Sequence, residues 1–446
     1  MQSGRSGGRV QAHYRRAASL LQPPAPRPST CGAAMCRHHR VLTVAAVALA
    51  ACTQPRDVAS PVVTADAVAG DASYEMIDLG TLLPNNPAAG SEAYGINDRG
   101  QVMGWSSINP TDGYARAHPH AFLWDGGVMQ DYGSPSPTSS GQLFVFGNIN
   151  ASGAFVGTFY ASQVRAALWV DGAVRDLGTL GGPSARAAAI NNRGQVVGTS
   201  ALATEGEHAF LWENGVMSDL GTLGGRDSRA LEINQGGQVA GYAQDAAGAW
   251  HAFLWEQGVM QDLGAGGNLP GSAALNDPGD VAGSSLATGA SGFFWSHGAL
   301  QDLGTVSGGN PLRLNNRGQV VGNDYPSGAF IWAGGVRTDL GHLPGGDISQ
   351  AWAINNRGQV VGTSNVAPNE IGKPHQFHAF VWENGQMLDL GTFAPPPGER
   401  PVQSLATAIN EQGDVVGWAE VHSEVPHAVL WRRRGGGPLA RAATRD

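Results

Sequence analysis

The chain repeats one unit eight times, and this repetition constrains the fold more than any other sequence feature. In the run AAAINNRGQVVGTS, Asn191 is followed three residues later by Gly194, and the same pair recurs in every unit. The shortest step, 276 to 315, is 39 residues, and the longest, 355 to 410, is 55. A repeat of this length predicts a closed or stacked array, because one unit cannot bury its apolar faces alone. The eight Asn residues are Asn97, Asn150, Asn191, Asn234, Asn276, Asn315, Asn355 and Asn410.

The second half of each unit resembles HAFLWENGVMSDLG, which begins at His208. We interpret the whole unit as four strands, a to d. AAAI is strand a, NNRG is a type I turn with Gly at the position of positive φ, and QVVGTS is strand b. HAFLW is strand c, and an Asn-Gly hairpin turn leads into VMSDLG, strand d. The repeated Trp residues are Trp124, Trp169, Trp212, Trp255, Trp295, Trp332, Trp382 and Trp431. The repeated Asp residues are Asp78, Asp131, Asp176, Asp219, Asp262, Asp302, Asp339 and Asp389.

Four short antiparallel strands per repeat are typical of the blade of a β-propeller. The order of the elements also favours ring closure. YEMIDLG (residues 74–80) is a lone strand d ahead of the first strand a, and the last unit stops after strand c at Trp431. We therefore predict an all-β propeller over residues 74–431, with eight four-stranded blades closed by the N-terminal strand. Seven blades is the alternative, because repeat 2 (GNINASGAFVG) is degenerate and repeat 5 lacks GTLGG.

The repeated run also carries a resemblance to a known family. HAFLWENGVMSDLG is followed by HAFLWEQGVMQDLG from His251 and HAFVWENGQMLDLG from His378. With these runs the chain resembles the HAF repeat family of bacterial extracellular proteins, over nearly all of residues 74–431. The resemblance implies an extracellular location, but it brings no activity, cofactor or site residue that could be carried over.

The region before the repeats predicts an export signal. MCRHHRVLTVAAVALAAC, from Met35 to Cys52, has a basic start and an apolar stretch too short to span a bilayer, which is typical of a signal peptide. Its end, LAAC, resembles a bacterial lipobox, in which Cys52 would be lipidated; an ordinary signal peptide is the alternative. We expect residues 1–34 to precede the true start or to be disordered, 53–73 to be a linker and 432–446 a disordered tail. The protein would then be exported, and only a lipid anchor would hold it to a membrane.

Charge and cysteine content exclude several functions. Residues 1–52 hold 7 of the 27 basic residues and no acid, so 20 basic residues face 36 acidic ones in the remainder. Such an acidic body repels nucleic acid, and we expect no nucleic-acid partner. The three Cys residues, Cys31, Cys36 and Cys52, all precede the repeats, which excludes an internal disulfide there. No phosphate-binding or dinucleotide-binding motif occurs, and we predict no cofactor.

The repeated polar residues predict a framework and not an active site. The His before Ala-Phe occurs at His120, His208, His251, His378 and His427. Equivalent positions on successive blades are too far apart to share a metal ion, so we expect each His to hydrogen-bond a turn or the repeated Asp. We interpret the Asp and Asn residues as turn formers, and the Trp residues as core or as wedges between blades with satisfied N–H groups.

Function should lie where the repeats differ. The long b–c loops belong to repeats 1 and 7, and the long d–a loops enter repeats 1, 2 and 8. Repeats 7, 8 and 1 become neighbours on closure, and this sector of the loop face collects aromatic and polar residues suited to a glycan, peptide or protein. Candidate ligand-binding residues are Tyr94, Trp105, Tyr114, Arg116, Trp352, Lys373, Arg400 and Trp418. A metal site is a weaker hypothesis there, with His118, His342, His375 and His422. We favour a non-catalytic binding or scaffold module; the alternatives are an extracellular carbohydrate-active hydrolase or lyase and a purely structural envelope protein.

Overall fold

The computed structural model shows an all-β chain. It describes residues 57–59, 67–68, 73–108, 119–133, 147–160, 162–267, 270–285, 291–306, 312–324, 328–367, 376–395, 397–422 and 425–434. All of them belong to the unit Thr53–Asp446. No helix occurs in these ranges, and therefore no long apolar helix that could cross a membrane.

Eight antiparallel sheets, arranged in a ring, form the blades. The strands ahead of the first repeat are β1 (Asp57–Ala59), β2 (Ala67–Val68) and β3 (Tyr74–Gly80). Blades 1 and 2 contain β4 (Ser91–Ile96), β5 (Val102–Ser107), β6 (Pro119–Asp125), β7 (Val128–Gly133), β8 (Phe155–Tyr160), β9 (Val164–Val170) and β10 (Ala173–Asp176). Blades 3 and 4 contain β11 (Gly181–Ile190), β12 (Val196–Leu202), β13 (Glu207–Glu213), β14 (Val216–Asp219), β15 (Gly224–Ile233), β16 (Val239–Asp245), β17 (Trp250–Glu256) and β18 (Val259–Gly267).

The remaining four blades have the same build. Blades 5 and 6 contain β19 (Pro270–Leu275), β20 (Val281–Ser285), β21 (Ser291–Ser296), β22 (Ala299–Thr305), β23 (Arg313–Leu314), β24 (Val320–Asp324), β25 (Gly328–Ala333) and β26 (Val336–Asp339). Blades 7 and 8 contain β27 (Ser349–Ile354), β28 (Val360–Asn365), β29 (Phe377–Glu383), β30 (Gln386–Asp389), β32 (Ser404–Ile409), β33 (Val415–His422) and β34 (Val425–Arg433), with β31 (Thr392–Phe393) in the connection between them.

The ring closes as the sequence predicted. In blade 8 the outermost strand is β3, which pairs antiparallel with β34 and sets Met76 opposite Trp431. The two ends of the repeat array thereby share one sheet, and the prediction of eight blades is confirmed while seven is wrong. Blade 2 is the irregular one: the described residues give it three strands, and a single bridge from Ile149 to Phe155 stands where the other blades have strand a.

The turns follow from local sequence. In the c–d hairpin of blade 3, Asn214 and Gly215 have φ values of 52° and 88°. Two successive positive φ values define a type I′ turn, whose twist matches the flanking strands. In the a–b turn of the same blade, the N–H of Gly194 donates to the carbonyl of Asn191 over 3.0 Å. Both predicted turn types are therefore confirmed.

The core lies between blades. The repeated Trp residues pack there with the Phe of strand c, and six of the eight are at most 7% exposed. The prediction of core Trp residues is confirmed, but that of satisfied N–H groups is wrong for two of them. The indole N–H groups of Trp169 and Trp431 are buried without a hydrogen-bond partner in the described part of the chain, because apolar neighbours such as Phe155, stacked 5.3 Å from Trp169, surround them.

Two predicted boundaries need correction. Residues 53–73, expected to be a linker, include β1, which pairs with β7, and β2, which pairs with β31. β1 covers the outer edge of blade 1, and a covered edge cannot recruit a foreign strand. The expected tail at 432–446 begins too early, since β34 continues to Arg433; residues 435–446 lie outside the described part of the chain.

One ring of hydrogen bonds links all eight blades. The Nδ2 group of each repeated Asn donates to the backbone carbonyl of the Asn in the next blade, over 2.9–3.2 Å. The last bond, from Asn410 to Asn97, closes the circle. These Asn residues are 0–6% exposed. In blade 6, Asn315 also accepts from the N–H groups of Arg317 and Gln319, so one side chain both shapes its own turn and binds the next.

We predict that Asn315→Ala destabilises the protein by about 2–4 kcal/mol, because it leaves the N–H groups of Arg317 and Gln319 without their acceptor and removes the bond to the next blade. Asn316, the next residue, provides the matched control. It is exposed, and its side chain contacts Asp277 in the preceding blade, where water can replace the lost bonds. Asn316→Ala should cost less than about 1 kcal/mol. Urea unfolding of both variants measures the difference, and equal losses would contradict the role of the Asn ring.

Candidate functional site

The repeated His residues are part of the frame, as predicted. Each Nδ1 lies 2.8 or 2.9 Å from the nearest carboxylate oxygen of a strand d Asp in the same blade. That Asp also accepts from the N–H group two residues later, as Asp219 does from Gly221 at 2.8 Å. The five pairs are His120–Asp131, His208–Asp219, His251–Asp262, His378–Asp389 and His427–Asp78. Each pair therefore stabilises its own blade edge.

Two of the predicted ligand-binding residues come together, but inside blade 1. Trp105 lies in β5 opposite Glu92 of β4 and is only 5% exposed. The hydroxyl of Tyr94 donates to Glu92 over 2.6 Å, and the Trp105 indole N–H lies 3.3 Å from both. The expectation of a Trp105 loop side chain is wrong, because strand b continues past it and buries it against strand a.

The other described candidates also have structural positions. Trp352 lies at a bulge in β27, where its indole N–H is buried without a partner. Trp418 lies in β33 opposite Leu405. Arg400 binds both carboxylate oxygens of Glu420, over 3.1 and 3.0 Å. Arg400 and Trp418 thus share blade 8, since Glu420 lies two residues after Trp418 in β33, whereas Trp352 belongs to blade 7.

The predicted metal site has no support among the described residues. There, no group of three or more His, Cys, Asp or Glu side chains could hold a metal ion. His342 Nδ1 lies 3.1 Å from the carbonyl of Leu343, and His422 Nε2 lies 2.8 Å from that of Pro87. Outside the described residues lie Tyr114, Arg116, His118, Lys373, His375 and Cys52. Their roles stay predictions.

A cleft between blades 6 and 7 is the better candidate. It has a volume of about 290 Å³ and lies on the face of the a–b and c–d turns, opposite to the predicted loop face. Arg317, Gln319 and Ala333 of blade 6 form one wall. Arg357 and Trp382 of blade 7 line the other. We call this the blade 6–7 cleft.

At Ala333 the wall of the blade 6–7 cleft lacks the carboxylate that blades 1 and 3 carry. In blade 3 the corresponding position is Glu213, which accepts from the Nε2 group of Gln195 over 3.1 Å. In blade 1, Asp125 accepts from Gln101 in the same way over 2.9 Å. Ala333 has no carboxylate, and the Nε2 group of Gln319, the blade 6 counterpart of Gln195, has no protein partner among the described residues.

Positive charge gathers at the same place. Arg317 and Arg357 are exposed, and neither forms an ion pair with a described residue. Arg317 instead donates to the backbone carbonyl of Arg357 over 3.3 Å. Glu383, the acid in the cleft wall, is neutralised by Arg433 at 3.0 Å. The cleft therefore offers donors and positive charge beside a half-buried Trp382.

Sequence reasoning missed the cleft, although a signal was present. At the turn position two residues after the ring Asn, Arg stands in two consecutive repeats only at Arg317 and Arg357. The lost acid at Ala333 falls in the same repeat. Alignment of the eight repeats, position by position, would therefore have indicated the junction between blades 6 and 7 as unusual.

The strands that line the propeller axis carry one further unusual pair. Strand a of each blade contacts strand a of the next from blade 3 round to blade 1. Glu232 in β15 and Arg313 in β23 occupy matching positions on this inner layer, one residue before the strand ends. Burial raises the pKa of Glu232 from 4.5 to about 7, although Arg313 opposes the rise. Burial also lowers the pKa of Arg313.

A carboxyl group with a pKa near 7 exchanges its proton at neutral pH and can act as an acid or a base. Two tyrosines are shifted as well. Burial raises the pKa of Tyr132 and of Tyr242. The hydroxyl of Tyr242 lies 2.6 Å from the carbonyl of Ser284, which is a packing role between blades 4 and 5.

Comparison with known proteins identifies no family and returns only distant structural similarities. No family model matches the chain, and no curated protein matches it. Among solved structures, the propeller domain of the trilobed protease from Pyrococcus furiosus has a TM-score of 0.42 at 10% identity, over 63% of this chain and 91% of that one. An acylaminoacyl peptidase from Pyrococcus horikoshii has a TM-score of 0.42 at 9% identity, over 74% of this chain and 57% of the peptidase. A gluconolactonase from Xanthomonas campestris has a TM-score of 0.35 at 10% identity, over 84% of this chain and 98% of the gluconolactonase.

The chain thus spans little more than half of the acylaminoacyl peptidase. Likeness at this level concerns the propeller architecture alone.

We predict that Glu232→Gln stabilises the protein at pH 8 by up to about 3 kcal/mol and has little effect below pH 4.5. The folded pKa of Glu232 lies above the unfolded one. The wild type therefore loses stability, relative to the variant, as pH rises from about 4.5 to about 7. Urea unfolding across this range measures the effect. The exposed Glu256 of the same blade is the control, and Glu256→Gln should follow the wild-type curve. A constant difference at all pH values would contradict the burial of Glu232.

Proposed function

We propose that this protein is an exported binding module, which recognises a glycan, peptide or protein and performs no chemistry on it. The observation that carries the proposal is the blade 6–7 cleft. It combines an aromatic side chain with an amide and two guanidinium groups that have no protein partner or ion pair among the described residues, which is the mixture that small-molecule sites use for affinity and orientation.

The dimensions of the cleft set the size of the recognised group. A volume of about 290 Å³ is at the lower end for ligand pockets. Such a space holds one sugar ring or one amino-acid side chain. Trp382 can pack against the apolar face of that group, while Arg317 and Gln319 provide donors for its polar edge.

The proposed location is outside the cytoplasm, with Cys52 as a lipid anchor. This part of the proposal is supported by the signal-like sequence before the repeats. We predict that the mature protein begins at a lipidated Cys52 and that Cys52→Ser releases it from the membrane fraction. Mass spectrometry of the mature N-terminus measures the first point. Cleavage elsewhere, or an unmodified Cys52, would contradict the anchor while leaving the binding proposal intact.

We predict that Trp382→Ala weakens ligand binding by about tenfold, because it removes the aromatic wall of the cleft. Glycan and peptide arrays identify the ligand, and calorimetry measures its affinity. Trp255 is the matched control, since it occupies the same position in blade 4 and is also half-buried. Both substitutions should cost about 3 kcal/mol of stability, but only the one in blade 7 should affect binding. If both variants lost affinity equally, the cleft would not be the binding site.

A further inference from the structure

We propose that the blade 6–7 cleft recognises the carboxylate of an acidic sugar, a uronate residue of a glycan. This inference rests on the proposed binding function and specifies its ligand class. It is carried by blades 1 and 3, where a carboxylate accepts from the Gln amide at the position that Ala333 occupies in blade 6.

The side-chain amide of Gln319 is held in the same way as that of Gln195 in blade 3. Its Oε1 atom accepts from the Nδ2 group of Asn315 over 2.8 Å, which fixes the orientation of the amide. Gln195 is held by its ring Asn in the same way, over 2.7 Å, and its Nε2 group then donates to the carboxylate of Glu213. In blade 6 the donor is kept, but the acceptor position is occupied by Ala333. A ligand carboxylate placed there restores the bond that blade 3 makes internally.

The charge around this position selects an anion. Arg317 and Arg357 stand on neighbouring turns, joined by the 3.3 Å bond from the first guanidinium to the second backbone carbonyl. Neither has an ion-pair partner in the described part of the chain. A carboxylate beside Gln319 would meet two cations, and charge-assisted hydrogen bonds to guanidinium are stronger than neutral ones.

The rest of the cleft favours a sugar over an acidic peptide side chain. Trp382 lines the blade 7 wall, and the polar side chains of Thr338 and Asn384 also reach the cleft. A pyranose ring fills a volume of about 290 Å³, with its C–H face on the indole and its hydroxyls near these polar groups. The side chain of an Asp or Glu would satisfy the cations but leave the Trp382 end of the cleft unused.

Calorimetry on the full chain tests the proposal with trisaccharides of galacturonate, glucuronate and mannuronate, each beside its carboxyl methyl ester. At least one acid should bind about tenfold or more tightly than its ester, and Arg317→Ala or Arg357→Ala should remove that preference. Arg193 stands at the same turn position in blade 3, where Glu213 is present, so Arg193→Ala should change nothing.

A second measurement does not require the ligand. Ala333→Glu places a carboxylate beside Gln319, as Glu213 lies beside Gln195. It should raise the melting temperature above that of Ala333→Gln, which fills the same space without charge, and should abolish uronate binding. An equal melting temperature for the two variants would overturn the anion site.

The outcomes separate this inference from the proposed function. Equal binding of acid and ester, or preferred binding of a polyglutamate peptide, would overturn the uronate assignment and leave a binding module. If no uronate trisaccharide, ester or peptide bound, and the arrays also gave no ligand, both would fail.

Discussion

The whole propeller depends on what one buried Asn side chain does in each blade. Its side-chain oxygen accepts from N–H groups of its own turn, and its side-chain nitrogen donates to the backbone carbonyl of the Asn in the next blade. One amide group therefore sets both the shape of a turn and the docking of two blades. Replacement of Asn by an apolar residue would lose both at once. Because Asn410 bonds Asn97, the circle closes through side chains as well as through β3, and the blade spacing is fixed on two independent paths.

Other residues in the blades also join strands within a blade or join neighbouring blades. Ser228, in the middle of β15, bonds two groups of the preceding blade: it donates to the carbonyl of Gly221 and accepts from the N–H group of Ala209. Asp219 holds Gly221 and the ring of His208. The His and Asp residues that look most like an active site in a single repeat thus join strands within a blade.

The sequence predicts well those features that short segments encode. The dipeptide Asn214-Gly215 favours a type I′ turn by itself. The lone strand at Tyr74 needs a partner strand, and only the last unit has an unpaired one. The position of Trp105 was not predictable in this way, because its burial depends on the register between two strands and on the length of strand b. The blade 6–7 cleft escaped for a related reason: it is created by a missing side chain, Ala333, and by turns from two different blades.

A repeated fold gains a unique site most easily where it loses a bond that the ring does not need. The Gln319 amide keeps its bond from Asn315, so the Asn315 bond to Asn355 is intact even though the carboxylate partner is gone. The loss at Ala333 therefore exposes a donor without loosening the turn that holds it. The pair of Glu232 and Arg313 in the inner layer differs in this respect, because desolvation disfavours the charged form of each. A ligand that fills the blade 6–7 cleft would meet oriented donors on a rigid frame, which reduces the entropy lost on binding and makes this junction the natural place for recognition.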